Sequence, residues 1–314
     1  MKAIKLTSIG GVENLEYASL PLPVIKDDEV LIQVKAISIN PVDVKTRKGK
    51  GVYGKLKTLD PLIIGWDVSG VVNTVGSSVK DFKEGDEVFG MINFPGHGQA
   101  YAEYVAAPAS HLAKKPANIS HEEAAAATLA ALTAYQALIE HADIKPGNKV
   151  LIHAAAGGVG HYAVQIAKHL GAHVTGTASA ANTNFVLSLG ADANIDYHTQ
   201  DFTQILSNLD FVLDTLGGES IDRSLEVIKP GGAINSIPTG LSEEVTGKAA
   251  AKNVKGYHTM VYSSGKDMRA IADWLEKGIL KSTVSQTFDF SEIAQAHLQV
   301  ETGRTKGKIV VTIA

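Results

Sequence analysis

The fold is decided by the stretch Lys149-Val150-Leu151-Ile152-His153-Ala154-Ala155-Ala156-Gly157-Gly158-Val159-Gly160. Its apolar start predicts a short strand, its small residues a tight turn, and the segment 161–170 a helix. Glycines let a backbone approach a pyrophosphate, and a helix N-terminus offers amide donors and a favourable dipole. The usual spacing is G-x-G-x-x-G, and here Ala155 takes the first position before Gly157 and Gly160. The stretch therefore predicts a dinucleotide site.

The segments around this turn alternate between strand and helix patterns. Candidate strands lie at 150–153, 173–178, 194–197, 211–215 and 233–237, and candidate helices at 158–170, 181–189, 199–206 and 218–228. Such a series predicts a doubly wound parallel sheet of the α/β class, with right-handed crossovers. The first 117 residues instead show short strands separated by turns, which is typical of a β-barrel. We therefore predict a catalytic β domain at 1–117, rejoined by 265–314, and a nucleotide-binding domain at 118–264.

Bulk composition narrows the classes of function. The 314 residues are 45% hydrophobic and 20% charged, with a net charge of -4 and no cysteine. The charge disfavours nucleic acid and anionic membrane as partners. The missing cysteines remove disulfides, zinc-thiolate sites and cysteine nucleophiles, and they fit a reducing compartment such as the cytoplasm. The alanine-rich stretch 124–139 is too short to span a bilayer, and we interpret it as one buried helix.

Several motifs together resemble one known family. They are the glycine turn, Leu132-Thr133-Ala134-Tyr135, Asn40-Pro41-Val42-Asp43, Gly85-Asp86-Glu87-Val88, Tyr101-Ala102-Glu103-Tyr104-Val105 and Gly307-Lys308-Ile309-Val310-Val311. In this order they resemble the zinc-independent quinone oxidoreductases, the zeta-crystallin-like branch of the medium-chain dehydrogenase/reductase superfamily. The resemblance implies a GroES-like β-barrel catalytic domain beside a Rossmann domain. It also implies a homodimer that reduces quinones or α,β-unsaturated carbonyl compounds with NADPH.

The positions that hold zinc in alcohol dehydrogenases of this superfamily carry other residues here. Asn40 stands at the first ligand position, and Gly65-Trp66-Asp67 replaces a Gly-His-Glu motif. We therefore expect no zinc. Without a Lewis acid, the oxidation of simple alcohols is disfavoured because nothing stabilises the alkoxide.

Three residues are candidates for catalysis by resemblance. Asn40 matches a family position beside the nicotinamide, Tyr53 matches an active-site tyrosine that could donate a proton, and Asp43 would orient its neighbours. Each has a plainer interpretation: Asn40-Pro41 as a turn, Asp43 as a helix cap and Tyr53 as a loop aromatic. The substrate pocket is expected in loops around 40–60 and 240–265.

The cofactor candidates come from the glycine turn, from the end of the second strand and, for Asn40, Thr133 and Tyr197, from positions that the resemblance implies. They are Asn40, Thr133, Gly157, Gly158, Val159, Gly160, Ser179, Asn182 and Tyr197. NAD sites place an acid near the end of the second strand, about 20 residues past the glycines. No acid occurs from Ile144 through Ala191, which favours NADP. Asn182 stands where the family commonly has a lysine, so the preference for NADPH over NADH is expected to be modest.

Two other functions stay open. The first is a non-enzymatic NADPH-binding protein, crystallin-like or regulatory, because a Rossmann domain can serve as a binding module. The second is an enoyl-thioester reductase, which would use a basic groove for its carrier group. The residues that could form this groove are Lys45, Arg47, Lys48, Lys50, Lys55 and Lys57.

Overall fold

The computed structural model describes residues 1–238 and 242–313. The chain divides into two compact units, Met1–Leu132 with Val261–Ala314 as the first and Thr133–Met260 as the second. The sequence instead suggested divisions at 117/118 and 264/265, where the pattern changes from strands to helices.

The strands in chain order are β1 (Lys2–Leu6), β2 (Leu15–Ser19), β3 (Glu29–Ile39), β4 (Asp67–Val75), β5 (Glu87–Met91), β6 (Tyr104–Pro108), β7 (Ala113–Lys114), β8 (Lys149–Ile152), β9 (His173–Ala178), β10 (Ala193–Asp196), β11 (Leu209–Asp214), β12 (Ile228–Ser236), β13 (Lys255–His258), β14 (Val284–Asp289) and β15 (Lys308–Thr312). The helices are α1 (Pro41–Arg47), α2 (Tyr53–Leu56), α3 (His121–Ala126), α4 (Leu129–Gln136), α5 (Gly160–His169), α6 (Thr183–Ser188), α7 (Phe202–Ile205), α8 (Glu219–Val227), α9 (Ser242–Ala251), α10 (Gly265–Glu276) and α11 (Ile293–Glu301).

The second unit is built on a six-stranded parallel sheet in the order β10-β9-β8-β11-β12-β13. Apolar residues of its strands, including Leu151, Val212 and Ile234, are fully buried against the helices. Because the strand order reverses between β8 and β11, the carboxyl ends of these two strands mark the place where open α/β sheets bind ligands. The predicted parallel sheet is confirmed.

The first unit contains a seven-stranded sheet in the order β14-β15-β3-β4-β5-β7, with β6 also paired to β3. The returning strand β15 pairs antiparallel with β3, so that Val310 faces Ser38 across the ladder. Helix α3 packs on this sheet through Ala125 and Ala126, which contact Ala36 and Val310. The end of the chain is thereby part of the same core as its beginning.

Two local expectations were wrong. The stretch 124–139 is not one helix: α3 ends at Ala126, and Thr128 donates from Oγ1 to the carbonyl of Ala125 at 2.8 Å before α4 begins. The segment 240–265 is not a loop, since it contains α9 and β13; its residues 240 and 241 lie outside the described residues. The segment 40–60 likewise contains α1 and α2. Among residues 1–238 and 242–313, none of the helices combines the length and apolar character that a membrane-spanning segment needs.

Candidate active site

The glycine turn of the second unit lies between the end of β8 and the start of α5. A Cβ added to Gly160 would stand 2.2 Å from the carbonyl oxygen of Ala154 and 2.8 Å from the Cα of Ala155, so only glycine fits there. A Cβ on Gly157 would stand 3.2 Å from that same carbonyl oxygen, which is a tight contact that comes from the turn itself. Val159 directly precedes α5. The turn therefore fits a dinucleotide pyrophosphate, whose oxygens approach bare backbone at such turns.

The turn is tied to β9 by Thr177. Its Oγ1 accepts from the amide of Ala154 at 3.2 Å, and its carbonyl accepts from the amide of Ala155 at 2.9 Å. Ala154 has a φ of 47°, a left-handed conformation that a side chain disfavours. These bonds hold the chain in that conformation.

His153 contacts Thr177, the residue that ties the turn to β9. It is buried, with Nδ1 3.2 Å from the Thr177 hydroxyl and Nε2 2.9 Å from the Ser224 hydroxyl. Burial lowers the pKa of His153 to about 4, which keeps the imidazole neutral at physiological pH. His153 is thus a structural residue of the turn.

Asp214 is the last residue of the neighbouring strand β11, and its side chain holds the loop that follows at the same edge of the sheet. Its buried carboxylate accepts from the amide of Gly217 at 3.0 Å and from the hydroxyl of Ser236 at 2.7 Å. Thr215 then donates to the carbonyl of His153 at 3.0 Å, which joins this loop to the end of β8. The sequence analysis missed Asp214. The Asp-x-x-Gly spacing before two glycines was the available signal.

The residues predicted for the adenosine end lie beyond β9 and β10. Asn182 donates from Nδ2 to the hydroxyl of Ser179 at 3.3 Å. Tyr197 is 59% exposed and follows Asp196, which pairs with Ala178 in the β10–β9 ladder. The structure therefore places Tyr197 at the same edge as Ser179 and Asn182. Thr133, the first residue of the second unit, is buried within α4.

Asp196 is an acid that the sequence argument overlooked, because it arrives from the next strand rather than from β9. Its carboxylate accepts from the amide of His198 at 3.2 Å and from the hydroxyl of Thr199 at 2.9 Å. The bond from His198 is the main reason why the pKa of Asp196 is lowered. The acid is engaged in its own turn and also bonds the backbone of Ala180, which follows Ser179.

In the first unit, Asn40 lies in a buried polar cluster with Lys308, Asp67 and Ser38. Its Nδ2 donates to Asp67 Oδ2 at 2.7 Å, and its Oδ1 accepts from Lys308 Nζ. Lys308 also donates to the carbonyl of Ile39 at 3.3 Å, and its Nζ lies 3.9 Å from Asp67 Oδ2. The Asn40 amide is therefore engaged by internal partners through both its donor and its acceptor. The sequence analysis missed Lys308, which is separated from this cluster by more than 200 residues.

Asp43 completes the cluster as the reciprocal cap of α1. Its Oδ2 accepts from the amide of Asn40 at 2.6 Å, which is the capping role weighed for it. Burial, and next the charge of Asp67, raise the pKa of Asp43 to about 8. Asp43 has no exposed surface and acts on its surroundings through Asn40.

Tyr53 opens the short helix α2, and its amide donates to the carbonyl of Lys50 at 3.0 Å. The side chain is half-buried, and its hydroxyl has no hydrogen-bond partner within the described residues. Of the three catalytic candidates, Tyr53 is the one whose polar atom is available to a ligand.

The position of the family's zinc histidine is filled by Trp66. The indole is fully buried, donates to the carbonyl of Gly96 at 2.7 Å and packs edge-on against Phe94 at 5.3 Å. Asp67 accepts from Asn40 and, through Oδ1, from the amide of Leu129 at 3.0 Å. An indole, an engaged amide and one engaged carboxylate beside an ammonium do not fit a zinc site, which needs nitrogen, sulfur or carboxylate ligands. No group of three metal-binding side chains occurs in the part of the chain that the structure describes.

Comparisons with known proteins identify relatives of the chain. A family profile described as "Alcohol dehydrogenase GroES-like domain" matches residues 26–117, and one described as "Zinc-binding dehydrogenase" matches residues 189–311. The chain is 38% identical to the 2-methylene-furan-3-one reductase of Solanum lycopersicum and 37% identical to the chloroplastic NADPH-dependent alkenal/one oxidoreductase of Arabidopsis thaliana. Each match covers 99% of this chain and 79% of the relative. The solved structure of the quinone oxidoreductase from Coxiella burnetii has a TM-score of 0.95 at 38% identity, covering 100% of this chain and 99% of that one.

The chain is thus a member of the medium-chain dehydrogenase/reductase superfamily. Within it, the chain belongs to the quinone oxidoreductase family. The predicted family, fold class and enzyme class are confirmed, and the relatives support a nicotinamide cofactor. The individual site residues remain predictions.

Proposed function

We propose that this oxidoreductase uses NADPH to reduce quinones or α,β-unsaturated carbonyl compounds without zinc. The observation that carries the proposal is that the family's zinc-ligand positions hold a buried indole, Trp66, and an amide, Asn40, which is engaged by Lys308. The glycine turn of the second unit supplies the features of a dinucleotide site. The relatives named above act on alkenals, enones or quinones, which are electron-poor acceptors that need no Lewis acid.

The bound nicotinamide would supply a hydride to the electron-poor carbon. The protein has to orient the acceptor and provide a proton, which is a task of positioning and electrostatics. The Tyr53 hydroxyl is the proposed donor to the oxygen on which negative charge develops. Asn40 is proposed to act through its position, since Lys308 and Asp67 engage both ends of its amide.

The choice of NADPH is supported at the end of β9. Ser179 and Asn182 offer neutral donors, and the nearby carboxylate of Asp196 is bonded to its own turn. An acid engaged in this way is a poor partner for the ribose hydroxyls of NADH. We propose a modest preference for NADPH.

The alternative function, an enoyl-thioester reductase, is less well supported by the basic stretch 45–57 than its sequence suggested. Arg47 is buried and paired with Glu301, and Lys48 bonds the same carboxylate at 2.6 Å. Two of the six charges are therefore engaged within the first unit.

We also propose a cytoplasmic homodimer. The absence of cysteine supports a reducing compartment. β13 is the last strand of the parallel sheet within the described residues, and such an edge can pair with a second copy.

The test is NADPH consumption with 1,4-naphthoquinone and 3-buten-2-one as acceptors, before and after dialysis against EDTA. Turnover that survives dialysis is expected. NADPH binding without turnover of either acceptor would instead favour the non-enzymatic alternative, and loss of turnover with EDTA would refute zinc independence.

The role of Tyr53 is tested with Tyr53→Phe beside the matched control Tyr104→Phe on β6. Removal of a general acid is expected to lower kcat by about 100-fold, with an unchanged affinity for NADPH. The control should retain kcat. An unchanged kcat in Tyr53→Phe would remove this tyrosine as the proton donor.

A further inference from the structure

A cavity of about 1250 Å³ opens on the first unit, and the residues that line it all belong to that unit. Its walls come from β1 and β2, the middle of β3, the start of α3 and the turn that follows β14. The three catalytic candidates and the glycine turn, all of which the structure describes, lie outside this lining. On the β3 wall, Lys35 stands five residues before Asn40, which is about 17 Å along an extended strand. The cavity is therefore separate from the candidate active site.

One part of the wall is aromatic. Tyr17 on β2 and Phe290 after β14 pack edge-on, with their ring centroids 5.7 Å apart. Tyr17 is 51% exposed, and its hydroxyl has no hydrogen-bond partner within the described residues. Aromatic rings favour a further ring in offset or edge-to-face contact. This part of the cavity therefore fits a planar, apolar group.

Lys35 brings a positive charge to the same cavity. The residue is half-buried, and its ammonium has no hydrogen bond or ion pair within residues 1–238 and 242–313. The amide of Ile313 donates to the carbonyl of Lys35 at 2.9 Å, so its backbone is held against the end of the chain. An ammonium that is partly withdrawn from water is stabilised by an opposite charge, and it forms strong hydrogen bonds with a carboxylate.

Two acids that line the cavity are engaged by other groups. Glu87 pairs with Lys115 at 3.1 Å and lies 3.3 Å from Nε2 of His121. Glu103 accepts from the amide of Lys2 at 2.6 Å. Neither of these carboxylates is the partner of Lys35.

The other two acids of the lining differ from each other. Asp289 is a reciprocal cap of the turn that contains Phe290. Glu122 is half-buried and forms no hydrogen bond or ion pair in the part of the chain that the structure describes. Its charge disfavours a ligand that carries several negative charges. The exposed ammonium of Lys2 is likewise without an ion pair among the described residues, so the unpaired groups are two cations and one acid.

We propose that this cavity is a second ligand site, which takes a small aromatic monocarboxylate. The carboxylate is bound by Lys35, and the ring lies against Tyr17 and Phe290. The volume is sufficient for an acid of one or two rings, since small-molecule pockets usually measure about 300–1,000 Å³. The site needs neither cofactor nor acceptor, so the inference does not depend on the proposed function.

The experiment titrates the full chain with 2-naphthoate and with neutral 2-naphthamide, by calorimetry without NADPH. The acid is expected to bind about tenfold more tightly than the amide, because it alone pairs with the ammonium. Lys35→Met should weaken binding of the acid about tenfold and leave the amide unchanged. Lys35→Arg keeps the charge and should retain the acid. The matched control Lys80→Met changes an exposed lysine outside the cavity and should behave as the wild type.

The aromatic contact is tested with Tyr17→Ser, which should weaken binding of both compounds about tenfold. Because Tyr17 is half-exposed, thermal unfolding of this variant should match the wild type. Tyr53→Phe should bind both compounds as the wild type does, which separates the cavity from the proposed substrate site. Turnover of 1,4-naphthoquinone with NADPH should be unchanged in Lys35→Met.

The proposal is overturned if Lys35→Met binds 2-naphthoate as tightly as the wild type, or if the wild type binds the acid and the amide equally. Absence of binding of both compounds at their solubility limits would also overturn it. If Lys35→Met does not fold, the comparison of acid with amide and the Tyr17→Ser variant still decide the question. None of these results affects the proposed reduction of quinones and enones, which is measured by NADPH consumption.

Discussion

Replacing Lys308 with methionine should lower the free energy of unfolding by about 3–5 kcal/mol, the usual cost of removing one partner from a buried ion pair. Methionine has a similar length, so the cavity is small and the loss is mainly electrostatic. The carbonyl of Ile39 and the Oδ1 of Asn40 would each lose a donor, at about 1 kcal/mol apiece. Asp67 would lose the cation 3.9 Å away, and this accounts for the rest.

The assay is unfolding in urea at pH 7, monitored by tryptophan fluorescence. The dependence of the unfolding free energy on urea concentration should be the same in every variant. Lys80→Met is the matched control, because Lys80 is exposed and has no ion pair within the described residues. Its unfolding free energy should stay within about 0.5 kcal/mol of the wild type. The double variant Lys308→Met with Asp67→Asn should recover at least about 1 kcal/mol relative to the sum of the single changes, since the isolated charge is gone.

A loss below about 1 kcal/mol in Lys308→Met, with no coupling to Asp67→Asn, would contradict this reasoning. That result would mean that the cluster is stable without the Lys308 ammonium, and that other contacts position Asn40.

Three further predictions concern the turn and the buried titrating groups. Gly160→Ala should cost about 3 kcal/mol or more and abolish cofactor binding by calorimetry, because the new Cβ would overlap backbone atoms. Folded Asp43 keeps a proton that the unfolded chain releases, so its contribution to the unfolding free energy should fall as the pH rises from about 4 to 8, by up to about 1.4 kcal/mol per unit, and Asp43→Asn should remove this contribution. His153 must stay neutral in the fold, so its own contribution should fall as the pH drops from about 6.5 to 4, opposite in sign to that of Asp43 over this range, and the difference in unfolding free energy between the wild type and His153→Gln in urea titrations across pH should isolate it.

Features that depend on neighbouring residues could be predicted from the sequence. The glycine turn, the strands β8 to β12 and the helix α5 follow from local apolar patterns and from residues with special backbone freedom. Gly160 is an example, because its close contacts are with Ala154 and Ala155, only a few positions earlier. The break between helices at Thr128 was missed although it is local, because alanine favours helix and a run of alanines contains no signal for a helix end.

Features that join distant parts of the chain could not be predicted in this way. Lys308 reaches Asn40 across 268 positions, because β15 returns to pair with β3. Asp196 lies at the end of β10, next to the end of β9 where the cofactor is predicted to bind. It is outside residues 144–191, in which the sequence analysis looked for an acid. Local patterns assign residues to strands, whereas the pairing of strands decides which side chains meet.

The charge balance of the buried cluster connects its stability with the proposed chemistry. Two carboxylates and one ammonium would leave a net negative charge without water, which is costly. The raised pKa of Asp43 removes one of these charges at neutral pH, so that fewer negative charges are buried beside Lys308. The nitrogen of Lys308 is itself bonded to Asn40 and Ile39. A cation engaged in this way cannot polarise a substrate oxygen as a metal would, and the acceptor must already be electron-poor, as quinones and enones are.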